Sequence, residues 1–173
     1  MNGNVQNTLN NNCWFWSSVR IIQNYVLYNG IPKELSNEII KKIINSENVS
    51  IDEYDKETMK QSDLTNSLDG NAVEFLTVNG FYYTECLPIR RANCSTIELT
   101  FNKHLPISFL LQFPGHFVAV ILEDGDYILY DQTGKYAKIT KLPFDKETKK
   151  LHLPICGLYT NIYIYMNSRD VSQ

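Results

Sequence analysis

The spacing of apolar residues changes once along the chain, and that change constrains the fold more than any other feature. Up to about residue 80 the apolar positions recur at helical intervals; from residue 81 they alternate with a period of two. In the first region, over 13–29, Trp14, Val19, Ile22 and Val26 keep helical spacing while other apolar side chains fill the remaining faces. A helix that is apolar almost all round belongs in the middle of a structure. Asn11 or Asn12 can cap its start, and Gly30 and Pro32 stop it. Pro32 also suits the first turn of a second helix over 32–46, with Leu35, Ile39, Ile40, Ile43 and Ile44 as its stripe. Weaker helical patterns cover 56–67 and 70–78, the latter with Asp69 or Asn71 as cap.

The alternating region predicts strands at 81–83, 107–113, 116–122, 127–132, 136–140 and 161–166. Helices followed by an antiparallel sheet make an α+β arrangement of packed layers. A chain of 173 residues, 43% hydrophobic and 20% charged, can bury a core as one domain with at most two lobes. The first lobe is expected over about 1–80 and the second over about 81–168.

The net charge of -3, with Lys and Arg dispersed, leaves no basic field for nucleic acid or an anionic membrane surface. No apolar run approaches the ~18 residues of a membrane span. The polar, Asn-rich stretch 2–12 is expected to be a loop and not a signal peptide. Cys13, Cys86, Cys94 and Cys156 form no C-x-x-C pair, so no structural zinc site, metal or cofactor is expected. Free thiols in a reducing compartment are the simplest expectation.

Three residues suggest chemistry. Cys13 stands where a polar loop meets the buried helix. A thiol there faces the positive end of the helix dipole, and thiolate is the nucleophilic form. The alternative is a small core side chain. His116 follows Gly115 at the mouth of the apolar strand Phe117-Val118-Ala119-Val120, at the edge of a core where it can reach a cleft or serve as a core histidine. Asp124-Gly125 between alternating strands is a hairpin signal. If those two residues form the loop, 118 faces 131 and 116 faces 133, which makes His116 and Asp131 diagonal neighbours on one face. A loop of odd length would separate them, and Asp131 would then be a turn former before Gln132-Thr133-Gly134.

Together these residues suit a nucleophile, its base and an orienting carboxylate. The backbone N–H of Cys13 is one donor for an oxyanion. Asn7, Gln6 and Asn10 can each supply a side-chain amide as a second; Asn7 ranks first because a six-residue offset suits this site, and each is otherwise a solvated loop amide.

Asn11-Asn12-Cys13-Trp14 opening a helix resembles the nucleophile motif of viral papain-like cysteine proteases. Gly115-His116-Phe117-Val118-Ala119-Val120 and Gly125-Asp126-Tyr127-Ile128-Leu129-Tyr130-Asp131 resemble their His and Asp strands. The compact size and the step from His116 to Asp131 look most like the picornaviral leader protease. Asn-Asn-Cys is also similar to nidovirus papain-like proteases, and the Tyr-, Asn- and Ile-rich chain looks most like a torovirus-type domain. The resemblance covers about 7–29 and 107–134; the zinc-bearing C-x-x-C fingers of the coronavirus relatives have no counterpart in this sequence.

The resemblance implies a two-lobed fold, with a helical lobe led by the nucleophile helix facing a lobe of antiparallel strands. It implies a monomer in the host cell cytoplasm, as part of a viral polyprotein or released from it. The substrates implied are that polyprotein and ubiquitin or its interferon-induced relatives. Trp14 and Gly115 are then expected to wall a channel for a Gly-Gly tail, and the ubiquitin body would meet helix 32–46 or the segment 56–80. Two other readings keep the same residues. Transglutaminase-like enzymes and arylamine acetyltransferases use Cys, His and Asp in this order, though the short chain and the Asn-Asn-Cys-Trp start weigh against them. A non-catalytic ubiquitin-binding module that kept a protease shape is the second.

Overall fold

Helix α1 (Cys13–Tyr28) is the segment apolar on all sides, and it is buried accordingly. The computed structural model describes residues 13–28, 32, 34–35, 38, 71–89, 97–101, 104–133, 136–153 and 160–167. In it Cys13, Trp14, Phe15, Trp16, Val19, Ile21 and Ile22 all join one core cluster. Two serines lie within this buried turn, and the helix itself satisfies them. Ser17 Oγ donates to the Cys13 carbonyl at 2.7 Å, and Ser18 Oγ to the Trp14 carbonyl at 2.6 Å. Of the helix expected over 32–46, Glu34, Leu35 and Glu38 are helical. Pro32, expected in its first turn, is not helical; the rest of that segment, the helix expected over 56–67 and the caps Asn11 and Asn12 lie outside the described residues.

The next described helix, α2 (Ala72–Val78), is capped by Asn71 and not Asp69: the Asn71 side chain accepts from the Glu74 N–H at 3.1 Å. Its C-terminus corrects one strand expectation. Gly80 takes a left-handed φ of 91°, the Phe81 N–H donates to the Leu76 carbonyl at 2.8 Å, and the Gly80 N–H donates to that of Thr77 at 3.0 Å. This pair of bonds closes the helix and folds Phe81 back onto Leu76 in the core. The backbone of Phe81 is therefore spent on a helix cap, and 81–83 is no strand. The alternation there comes from a capping contact and from the exposed Tyr82 and Tyr83.

Among the described residues nine strands follow: β1 (Glu85–Ile89), β2 (Ile97–Thr100), β3 (Pro106–Phe113), β4 (His116–Glu123), β5 (Asp126–Thr133), β6 (Tyr136–Lys141), β7 (Phe144–Asp145), β8 (Lys150–Leu153) and β9 (Thr160–Asn167). Six form one antiparallel sheet in the order β1-β9-β3-β4-β5-β6. A smaller antiparallel sheet has the order β2-β8-β7. The fold is thus α+β, helices before strands. β1 carries Pro88, and it lies at the sheet edge, where a missing N–H is tolerated.

The large sheet separates two cores. On one face α1 and α2 pack against Leu110, Phe117, Ala119, Ile121 and Tyr130. On the other, Ile97, Leu151 and Leu153 of the small sheet meet Phe109, Leu111, Val118, Val120 and Tyr127. Among the described residues no helix is long and apolar enough to cross a membrane.

Phe15 ties α1 to this structure. It is fully buried, with its ring edge-on to Trp16 at 5.3 Å and to Phe75 of α2 at 6.4 Å. Phe15→Ala is expected to destabilise the protein by about 3–5 kcal/mol, from lost transfer energy and the cavity left behind. Urea denaturation measures it; a loss under about 1 kcal/mol would contradict the packing described.

Candidate active site

Two hairpins and one helix start bring three distant residues together. Between β3 and β4, Pro114 and Gly115 make the turn; Gly115 holds a φ of 75°, and Phe113 pairs directly with His116. His116 is therefore the first residue of β4, at the end of the sheet. Between β4 and β5, Asp124 and Gly125 have φ of 51° and 86°. Positive φ at both central residues is the turn whose twist matches the flanking strands, and Asp and Gly tolerate it best. The register is the expected one: Glu123 pairs with Asp126 and Ala119 with Tyr130. Asp131 accordingly shares the face of His116, and His116 Nε2 lies 2.7 Å from Asp131 Oδ1.

Cys13 reaches the same point from the helix side. Its Sγ accepts a hydrogen bond from the Phe117 backbone N–H at 3.4 Å, one residue beyond His116. The imidazole also hydrogen-bonds the thiol group of Cys13. With Nε2 committed to the carboxylate, Nδ1 is the nitrogen left for the sulfur. Cys13 is 2% exposed. The His116 and Asp131 side chains are 32% and 25% exposed.

These contacts push the His116 pKa up to about 10. The hydrogen bond to Asp131 is the largest cause and that to Cys13 the second, with burial opposing both. At neutral pH the ring is an imidazolium, donating from Nε2 to Asp131. The folded value lies above the 6.5 of a free histidine. Protonated His116 therefore contributes stability that is complete below pH 6.5 and lost as pH rises through about 10. With a third of the side chain in water, screening leaves on the order of 2 kcal/mol. Urea midpoints should fall between pH 6.5 and 9.5, and the fall should flatten in His116→Gln. Equal slopes in the two proteins would remove the assignment. The window stops there because burial also pushes the Tyr127 and Tyr165 hydroxyls up, so these residues destabilise the fold once free tyrosines ionise near pH 10.

The remaining expected site residues fall as follows. Asn7, Gln6 and Asn10 lie outside the described residues. Trp14 is corrected: it is 4% exposed in the helix-side core, edge-on to Phe15 at 5.9 Å and Phe75 at 5.4 Å. At that exposure, packed between the two rings, Trp14 offers no surface to a channel. Gly115 is exposed, with open space where a Cβ would stand. Among the described residues Cys13 and Cys86 are in no disulfide, and no cluster of three or more His, Cys, Asp or Glu side chains is arranged to hold a metal ion.

Two features went unread in the sequence. One is the Phe117 N–H on the sulfur, a main-chain contact with no residue-type signal. The other is a cavity of about 440 Å³ beside the pair, with His116 and Asp131 in one wall and Lys138 of β6 in another. Carrying the hairpin register one strand further, across Gly134-Lys135, would have placed Lys138 opposite Asp131, where it lies. No family model, curated protein or solved structure matches this chain at a significant level.

Proposed function

We propose that this chain is a viral papain-like cysteine protease that hydrolyses peptide and isopeptide bonds, with ubiquitin or a ubiquitin-like protein and a viral polyprotein as substrates. The observation that carries this reading is the convergence of Cys13, at the start of a buried helix, with a His116–Asp131 pair closed at 2.7 Å on neighbouring strands. The helices-then-strands order, with the cysteine helix docked on the strands that bear the histidine, supports a papain-like arrangement of a helical and a β part. The host cell cytoplasm, where thiols stay reduced, is the proposed site of action.

The chemistry follows from the contacts. An imidazolium beside the sulfur is the arrangement that holds a cysteine as thiolate. The thiolate attacks the substrate carbonyl carbon, and the carbonyl π-electrons move to oxygen. The N–H of Cys13, in the first turn of α1, is the proposed donor to that oxyanion. Collapse breaks the C–N bond as His116 gives its proton to the departing amine. Neutral His116 then takes a proton from water, the hydroxide adds to the thioester, and the acid leaves as the thiolate and imidazolium are restored. Throughout, Asp131 holds the ring in one orientation.

The test is a ubiquitin bearing a C-terminal electrophile together with a ubiquitin C-terminal fluorogenic amide. Covalent capture and hydrolysis by the wild type, both absent in Cys13→Ala, are the expected results. Hydrolysis unchanged in Cys13→Ala would end the proposal, and a protein that binds ubiquitin without either reaction would be a binding module.

A further inference from the structure

The cavity beside the catalytic pair lies on the side of His116 away from the sulfur. Cys13 and Phe117 belong to the helix-side core, whereas Val118 belongs to the core on the opposite face of the sheet, with Phe113 and Leu129 packed against it. Phe113, Val118 and Leu129 line the cavity, and Cys13 does not. His116 stands at the sheet end between the two, one ring nitrogen toward the sulfur and the other on Asp131.

That placement fixes which part of a substrate can enter. The acyl half becomes bonded to sulfur on the helix side. The leaving amine takes its proton from His116 and so must lie within hydrogen-bond reach of the imidazole. The chain it carries continues away from the sulfur, past His116 and over the cavity. At about 440 Å³ the space falls in the range of small-ligand sites, roughly 300–1,000 Å³. Its Phe113, Val118 and Leu129 surfaces suit a bulky apolar side chain. Lys138, exposed and directly opposite Asp131 in the sheet, supplies a cation. Among the described residues no carboxylate lies within ion-pair distance of that ammonium, and the Asp131 carboxylate is held by His116.

Resting on the protease reading, we infer that this cavity binds the leaving side of a linear peptide substrate, selecting a bulky apolar residue directly after the cut bond and an acidic residue next to it. Lys138 is the specificity-determining residue for the acidic position, and the Val118–Leu129 floor for the apolar one.

The test has two arms. In the first, quenched fluorescent peptides share an acyl side ending in Gly-Gly and differ only after the cut, as Leu-Glu, Leu-Lys, Gly-Glu or Gly-Lys. Leu-Glu should exceed Gly-Lys by at least about tenfold in kcat/KM. Lys138→Glu should invert the Glu-over-Lys preference, and Thr140→Trp, which fills the cavity from the edge strand β6, should erase the Leu-over-Gly preference. In the second arm, Cys13→Ala protein is titrated with the free peptides Leu-Glu-Ala-Ala and Leu-Lys-Ala-Ala and followed by NMR. The acidic peptide should bind more tightly and shift β4–β6 resonances, and Lys138→Glu should reverse the order. Cys13-dependent hydrolysis indifferent to the leaving side overturns this inference and leaves the protease reading standing. With no hydrolysis of any peptide the protease reading is decided on the ubiquitin substrates, and the binding arm decides the cavity alone: no preference for the acidic peptide overturns this inference.

Discussion

Exchange of Cys13 for alanine is expected to lower kcat/KM on a ubiquitin C-terminal amide by on the order of a millionfold, the scale seen when a nucleophile is removed from a triad. In the proposed mechanism its sulfur is the atom that bonds the acyl group. With it gone, His116 and Asp131 retain their 2.7 Å contact but have nothing to activate. The loss should therefore not deepen when His116→Ala is added, because the residues act as a unit. Steady-state and single-turnover rates on the two variants decide it. A residual rate above about one per cent of wild type in Cys13→Ala would assign the chemistry elsewhere.

Asp131→Asn should leave the fold intact, lower kcat/KM by roughly 10²–10⁴, and change its pH dependence. The hydrogen bond to Asp131 is the largest cause holding the His116 pKa at about 10. In the wild type the alkaline limb, where His116 loses the proton owed to the leaving amine, should therefore lie near pH 10. An amide in place of the carboxylate removes the charged acceptor, so the limb should move down toward the 6.5 of a free histidine. A rate loss without that displacement would reduce Asp131 to a packing residue.

The parts of this structure that were legible in the sequence are those set by local rules. A two-residue Asp124-Gly125 turn imposes one register, and that register alone brings His116 and Asp131 to one face. The burial of α1 followed from apolar residues on all its sides. What stayed hidden depended on context. Phe81 alternates like a strand residue, yet its N–H serves Leu76. The short strands β2, β7 and β8 hold together only by covering the second face of the large sheet, through Leu151 and Leu153, which no local pattern announces. Trp14 looked like a channel wall because of its place beside Cys13, but successive helical residues point about 100° apart, and its neighbour's direction said nothing about its own.

The Asp124–Gly125 turn lies eight positions after His116 and six before Asp131, the residues whose spacing it governs. It works as a caliper for the reactive end of the sheet. Lengthening it by one residue, with the strands still paired, would deliver the carboxylate to the wrong side of the ribbon and turn Tyr127, Leu129 and Tyr130 out of the cores they fill. Lengthening it by two would restore the parity of the faces, displacing the carboxylate along the strand without turning it away. Loop grafts into this hairpin should thus succeed in even steps and fail in odd ones.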